Sequence, residues 1–300
     1  MNGGGLRRVI KLAAKAAVVA LIVALAAETL RYRRARQIRE ALYGAFAPVK
    51  ITNCEVRRFG NTNDGGYLMC ANLLSAAATS YSYGINGEDA WGCEVSALFK
   101  VPVHQYDCFN LSAPRCTSGL ERFHAECIGP ERATIDGRPF DTFANHVEKN
   151  GDVGKRIVVK MDVEGAEWQS LAGAPDHVLN AIDQMAVEFH EVETASFLDT
   201  TNRLSEFFYV AHVHQNNYAC RPGFDPFPGR VFEVLFVNKR IAVADPWVNA
   251  RGPSPLDAPN APALPDCQAS PGGNELQRIG RWTERRLRES ASWLRRLEIL

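Results

Sequence analysis

A chain of 300 residues with 34 basic and 34 acidic side chains, in which 46% of residues are hydrophobic, can build one sizeable core with additions at its ends. Zero formal net charge excludes a nucleic-acid binder that works through bulk electrostatics, although arginines gather toward both termini. The cysteines, at positions 54, 70, 93, 108, 116, 127, 220 and 267, contain no C-x-x-C pair, which excludes a zinc knuckle. Several lie inside apolar runs, so buried reduced thiols are expected, with disulfides as the alternative.

The first 11 residues form a short basic tail. Residues 12–27, "LAAKAAVVALIVALAA", are apolar except for Lys15, with Arg7, Arg8 and Lys11 before them and "RYRRARQIRE" after them. A helix apolar all round belongs in lipid or in a large core, so a transmembrane anchor is expected over 12–30, with Lys15 snorkelling. Ala24 and Ala26 also make an A-x-A cleavage site, but arginines directly after it hinder export, which favours an uncleaved anchor. Basic residues on both flanks leave the orientation open. A basic helical linker, 31–47, should end at Pro48, where the globular domain begins.

Within that domain, 48–245, strands are expected at 78–85, 101–108, 122–129, 156–164, 184–192, 207–215 and 231–239, and helices at 88–100, 140–149, 166–181 and 193–207. Alternation of this kind predicts an α/β fold: a Rossmann-like sheet of seven strands with helices on both faces. The last two strands have only "NNYACRPGFDPFPG" between them, which predicts an antiparallel last strand. Residues 246–273, rich in proline and glycine, read as an extended linker outside the core, and 274–300 as an amphipathic basic helix with Leu276, Ile279, Thr283 and Leu287 near one face. That helix either packs on its own domain or lies on an anionic membrane.

Ligands of open α/β sheets bind outside the carboxyl ends of the strands. "YGINGED" places Gly84, Asn86 and Gly87 at one such end, where glycine lets the backbone approach a ligand, and Asp107 ends the next strand, where a carboxylate suits a ribose diol. In "RIVVKMDVEGAEW", Lys160, Asp162 and Glu164 share a face by the period of two, with Glu167 in the helix that follows. Glu188 with His190, and His212 with His214 and Asn216, are likewise co-facial. Such groups can act as general bases or hold a divalent metal. No Walker motif and no G-x-S-x-G elbow is present.

Over roughly residues 55–240 the order of these pieces resembles the class I S-adenosylmethionine-dependent methyltransferases, the FkbM-like group in particular. "MDVEGAEW" is similar to that group's D-x-E-G-x-E block, "RRFGNTNDGGYLMC" to its R-x-G-x(3)-D-G-G-Y entry segment, and "EFHEV" and "HVHQNNY" to its fifth and sixth strands. The resemblance implies S-adenosyl-L-methionine as cofactor, bound by Gly84, Asn86, Gly87, Asp107 and Asp64, and O-methylation with Asp162, His190 and Glu164 as catalytic residues. A divalent metal is compatible with the resemblance but not predicted. Where the group's first motif carries an acid two residues before the glycine, this chain has Ser82. Two other readings compete: a membrane-anchored glycosyltransferase using D-x-E as a metal site, and a methyltransferase-fold scaffold without activity. The expected partners are a membrane, through the anchor, and an acceptor substrate of unknown identity; nucleic acid is not among them.

Overall fold

The computed structural model describes residues 3–267 and 273–297. One long helix opens it, α1 (Gly3–Ala45), followed by β1 (Val49–Ile51), the hairpin β2 (Val56–Gly60) and β3 (Gly66–Cys70), β4 (Thr79–Tyr83), α2 (Ala90–Phe99), β5 (Val103–Tyr106) and β6 (Glu121–His124). Short strands β7 (Cys127–Ile128), β8 (Ala133–Ile135) and β9 (Arg138–Asp141) precede α3 (Phe143–Lys149), β10 (Ile157–Met161), α4 (Glu167–Ala172), α5 (Asp176–Ala181) and β11 (Ile182–His190). The chain then runs through α6 (Phe197–Phe207), β12 (Phe208–Gln215), β13 (Val231–Asn238), β14 (Ala244–Asn249) and α7 (Glu275–Leu297).

The central sheet has seven strands in the order β12-β13-β11-β10-β4-β5-β6. Pairing is parallel from β11 through β6, and β13 lies antiparallel between β11 and β12. All five residues of β10 are buried, Lys160 among them, because the strand is covered on both faces. One face carries α1 and α3–α6 through Leu42, Phe46, Phe143, Trp168, Val178 and Leu204. The other carries α2 and the β2–β3 hairpin through Trp91, Val95, Phe59, Tyr67 and Met69. The expected helices on both faces are thus present, but a hairpin does much of the covering on the second.

Local signals account for the boundaries. Asp89 caps α2 by accepting from Gly92 N–H, and Lys100 ends it in a left-handed conformation. Thr142 caps α3 through Asn145 N–H. The single helix expected over 166–181 is two, α4 and α5, because Gly173 and Pro175 interrupt it. The strand expected over 122–129 is also two pieces in different sheets, β6 and β7.

Three larger expectations are corrected. All eight cysteines are paired, as Cys54–Cys70, Cys93–Cys116, Cys108–Cys127 and Cys220–Cys267, rather than reduced. Their apolar settings reflect burial, which a disulfide satisfies as well as a thiol does. The stretch after residue 245 is no free linker: β14 pairs with β1, and Asn260 and Ala261 are buried beside β12 and β13. Lastly, α7 packs on its own domain by a different face from the expected one, with Trp282 and Arg285 buried and Leu276 and Leu287 exposed. Trp282 meets Tyr32 of α1 edge-on, and Arg285 bonds Glu193, so indole and guanidinium have partners inside that leucines would not supply.

The segment 31–47 is helical, as expected, but it is built into the domain. Tyr32, Arg39, Leu42 and Phe46 are buried, and the ring of Phe46 stands against Trp168, Phe189, Phe232 and Phe236. The helix N-terminal to it is long and apolar enough to cross a membrane.

Candidate functional site

The carboxyl ends of β4, β5 and β10 open onto a cavity of about 570 Å³. Six of the eight residues assigned to the cofactor or to catalysis line it, Asp64, Gly84, Asn86, Asp107, Asp162 and Glu164, with Lys160 beside them. Gly87 and His190 do not. Ile128, Phe140 and Phe109 supply an apolar wall that sequence reasoning missed, because β7 and β9 are too short to leave a periodic signal.

The glycines of "YGINGED" answer first to backbone geometry. Gly84 has φ +71°, and a Cβ there would stand 1.6 Å from the Asp162 carbonyl oxygen, so glycine is what lets the β4 exit pass the β10 exit. Gly87, at φ +82°, turns the chain beside Asn110. Between them Asn86 is left-handed, and its N–H donates to Asp107 Oδ2 at 2.8 Å. The other Asp107 oxygen accepts from the N–H groups of Phe109 and Asn110. Three of the roughly four lone pairs of this carboxylate are thereby used, and one remains for a ligand.

Ser82 has a local explanation. Its hydroxyl donates to Asp89 Oδ1, and Gln105 donates to Asp89 Oδ2 at 3.0 Å, so a carboxylate from the start of α2 occupies the space beside Ser82. Burial pushes the Asp89 carboxyl above the usual range.

On the next strand Lys160 is buried and donates to the carbonyls of Tyr83 and Gly84, and its ammonium lies 3.5 Å from Asp162 Oδ2. The same oxygen accepts from the Tyr67 hydroxyl at 3.2 Å. Past Asp162 the chain turns sharply, with Glu164 at φ 56° and Gly165 at φ 112°. Glu167, fully buried, holds this turn by accepting from Val163 N–H and Gly165 N–H. Its Oε1 also accepts from His190 Nδ1 at 3.0 Å, which fixes the ring and leaves Nε2 toward Glu164 and Glu188. Burial lowers the affinity of His190 for a proton, but Glu167, with Glu164 and Asp162 adding to it, outweighs burial and raises its pKa.

Glu188, one residue pair back along β11, is buried with Asn216 Nδ2 donating to both of its oxygens. Burial, reinforced by Asp162 and by its cross-strand neighbour Glu233, raises the Glu188 carboxyl well above the ordinary value. Asn260, from the proline-rich segment, donates to Glu233 at 2.7 Å and to Asp64 at 3.3 Å, and Asp257 bonds His212 at 2.8 Å. That segment therefore closes one flank of the site, a role its composition hides. Among the described residues, Asp162, Glu188 and His190 bring donor atoms within 4.8 Å of one another and have the chemistry to hold a divalent cation. The Lys160 ammonium already supplies a positive charge at the same Asp162 oxygen.

The arrangement offers a polar, acidic pocket with a glycine turn, a partly satisfied carboxylate at Asp107, and a braced carboxylate at Asp162 with His190 behind it. No protein-family model matches the chain, and no curated protein matches it.

Proposed function

We propose that the chain is a membrane-anchored, S-adenosylmethionine-dependent O-methyltransferase of the class I fold. The observation that carries the reading is the cavity in which the turn from Gly84 to Asn86, Asp107 and Asp162 meet, at the carboxyl ends of parallel strands. The reversed strand β13, lying between β11 and β12, agrees with the reversed seventh strand that the FkbM-like resemblance implies. The residues suit the cofactor chemically. Asp107 has an acceptor site left for a ribose hydroxyl, Ile128, Phe140 and Phe109 suit an adenine ring, and a carboxylate-lined cavity favours a sulfonium cation.

Bound there, the cofactor supplies an electrophilic methyl group. The protein's part is to place an acceptor hydroxyl in line and take its proton. Asp162 is the base: Tyr67 and Lys160 fix its carboxylate, and it lines the cavity together with Glu164. With the cofactor held by the Gly84–Asn86 turn and Asp107, Asp162 would take the proton that the acceptor hydroxyl gives up when it receives the methyl group. His190, held by Glu167, lies within 4.8 Å of Asp162 and Glu188 and is placed to share that proton.

Four disulfides support a position in an oxidising compartment, so α1 would span the membrane with the domain on its lumenal or extracellular side. The glycosyltransferase reading draws on Asp162, Glu188 and His190 as a metal site. Calorimetry on the full chain in nanodiscs separates the readings. We expect S-adenosylmethionine to bind in the presence of EDTA and Asp107→Ala to weaken it by about tenfold or more, the size of a lost charged hydrogen bond. Binding of a sugar nucleotide only, and only with manganese, would sink the proposal, and binding of neither ligand would favour the scaffold.

A further inference from the structure

The path of α1 across the sheet sets which way the cavity faces. Arg39 donates to the carbonyl of Asp225 and pairs with Glu193, both in loops at the carboxyl edge, three residues past the end of β11 and six before the start of β13. Seven residues further on, Phe46 lies over the middle of the sheet, and Ala47 and Val49 sit with Phe208 and Lys239 at the amino edge. The helix therefore descends from the carboxyl edge to the amino edge, against the direction of the parallel strands. Its apolar N-terminal half projects out past the carboxyl edge, on the same side as the cavity.

The projection is stiff. No glycine or proline lies between Gly5 and Gly44, and α7 braces the exit through the Tyr32–Trp282 edge contact and the Arg33–Glu275 ion pair. The expected span ends at Leu30, nine residues before Arg39, so at ~1.5 Å per residue the bilayer boundary stands roughly 14 Å beyond the carboxyl edge. A simple headgroup layer is only about 5–8 Å thick, too short to reach that height. Charge narrows the choice further. Asp64, Glu88, Asp107, Asp162 and Glu164 line the cavity against Lys160 alone, which repels an anionic headgroup and offers many acceptors to a polyol. A rigid stand-off also selects an acceptor held at one height above the bilayer, as a lipid headgroup is.

We propose that the acceptor is a hydroxyl of an uncharged oligosaccharide headgroup of a lipid in the membrane that holds α1. This rests on the methyltransferase reading for the chemistry and on α1 as a span for the orientation.

The test uses the full chain reconstituted in phosphatidylcholine vesicles with methyl-labelled S-adenosylmethionine. The probes are a ceramide carrying a neutral tetrasaccharide, the same tetrasaccharide free in solution, and a ceramide carrying one hexose. We expect the tetrasaccharide lipid to be methylated at least about tenfold faster than either of the others. Equal rates for the free and lipid-borne saccharide, faster transfer to the single-hexose lipid, transfer only to a glycoprotein, or no transfer to any probe while the cofactor binds would each overturn the acceptor assignment. Absence of cofactor binding would instead overturn the methyltransferase reading. Orientation is read separately, by energy transfer from a fluorescent amino acid to a bilayer dye. Leu111, exposed after β5, should transfer more efficiently than Val153, exposed before β10, and the reverse order or equality would overturn the orientation.

Discussion

Histidines on the two sides of the central sheet meet opposite fates. On the β4–β6 side, His104 stacks on Tyr81, and His124 and His146 stack on Tyr106 at 4.4 and 4.2 Å. Burial there dominates and pushes His104 down to about 4 and His146 to about 3. On the β10–β13 side, burial acts in the same sense, but Glu167 overcomes it at His190 and Glu233 at His214, and both pKa values rise. One side is an aromatic stack stapled by Cys93–Cys116 and Cys108–Cys127, whose carboxylates Glu126 and Asp152 are already paired with Lys149 and Lys155; on the other, Glu167 bonds His190 directly. Both sides place carboxylates near their histidines, with Asp152 3.3 Å from His104 and Glu126 3.3 Å from His146, so the difference teaches that the balance decides. Burial, helped by Lys155 and Lys149, wins at His104 and His146, whereas the Glu167 hydrogen bond with Glu164 and Asp162 beside it wins at His190.

The largest effect should fall on the β10–β13 side. Asp162→Asn removes the base without emptying its space, so methyl transfer to the tetrasaccharide lipid should drop by about 10²–10⁴-fold with the melting temperature nearly unchanged. Retained activity would detach the charged network from catalysis. Next in size is Glu167→Ala, which leaves His190 without its partner and two turn N–H groups unpaired. We expect a loss of about 3–5 kcal/mol in urea unfolding. A loss under about 1 kcal/mol would mean the network is not a structural unit.

Replacing Cys108 and Cys127 by serine tests the stapled side. Loop closure over a sequence separation of 19 should account for about 3 kcal/mol, and a comparable change on the β10–β13 side would blur the contrast.

The pH dependence is the most gradual effect, at most about 1.4 kcal/mol per pH unit for each histidine, visible in melting temperature against pH. For His104 and His146 the folded pKa lies below the ordinary 6.5, so the unfolded chain binds more protons and stability falls as pH drops from about 6.5 toward about 3–4. For His190 and His214 the folded pKa lies above 6.5, so their contribution is full below 6.5 and fades as pH rises through the folded value. His146→Gln should flatten the acid slope and leave the alkaline one. If it flattens both, the two sides are not separable.

Strands β4, β5, β10, β11, β12 and β13 are legible in the chain because each is an apolar or alternating run bounded by turn residues. Other strands escape notice for different reasons: β8 and β9 are three and four residues long, β3 is buried throughout and so shows no polar alternation, and β1 and β14 meet only across the chain, as Val49 with Asn249. In the candidate site, the co-facial Lys160 and Asp162, and Glu188 with His190, follow from strand periodicity alone. The bracing of Asp162 by Tyr67 and the closure of the flank by Asn260 do not, since both cross between elements. Residues 246–267 look like a linker because a segment held by side-chain hydrogen bonds needs no apolar period.

Local pattern by itself therefore determined the α/β alternation, the reversed last strand, the membrane-length helix and the carboxylates at the strand ends. All of these depend on neighbours a few residues away. Tertiary structure alone decided which cysteines pair, which histidines have raised and which lowered pKa values, and that α1 leaves the domain on the side where the cavity opens. Those outcomes depend on distances between residues far apart in the chain, and such distances exist only once the sheet has closed around its core.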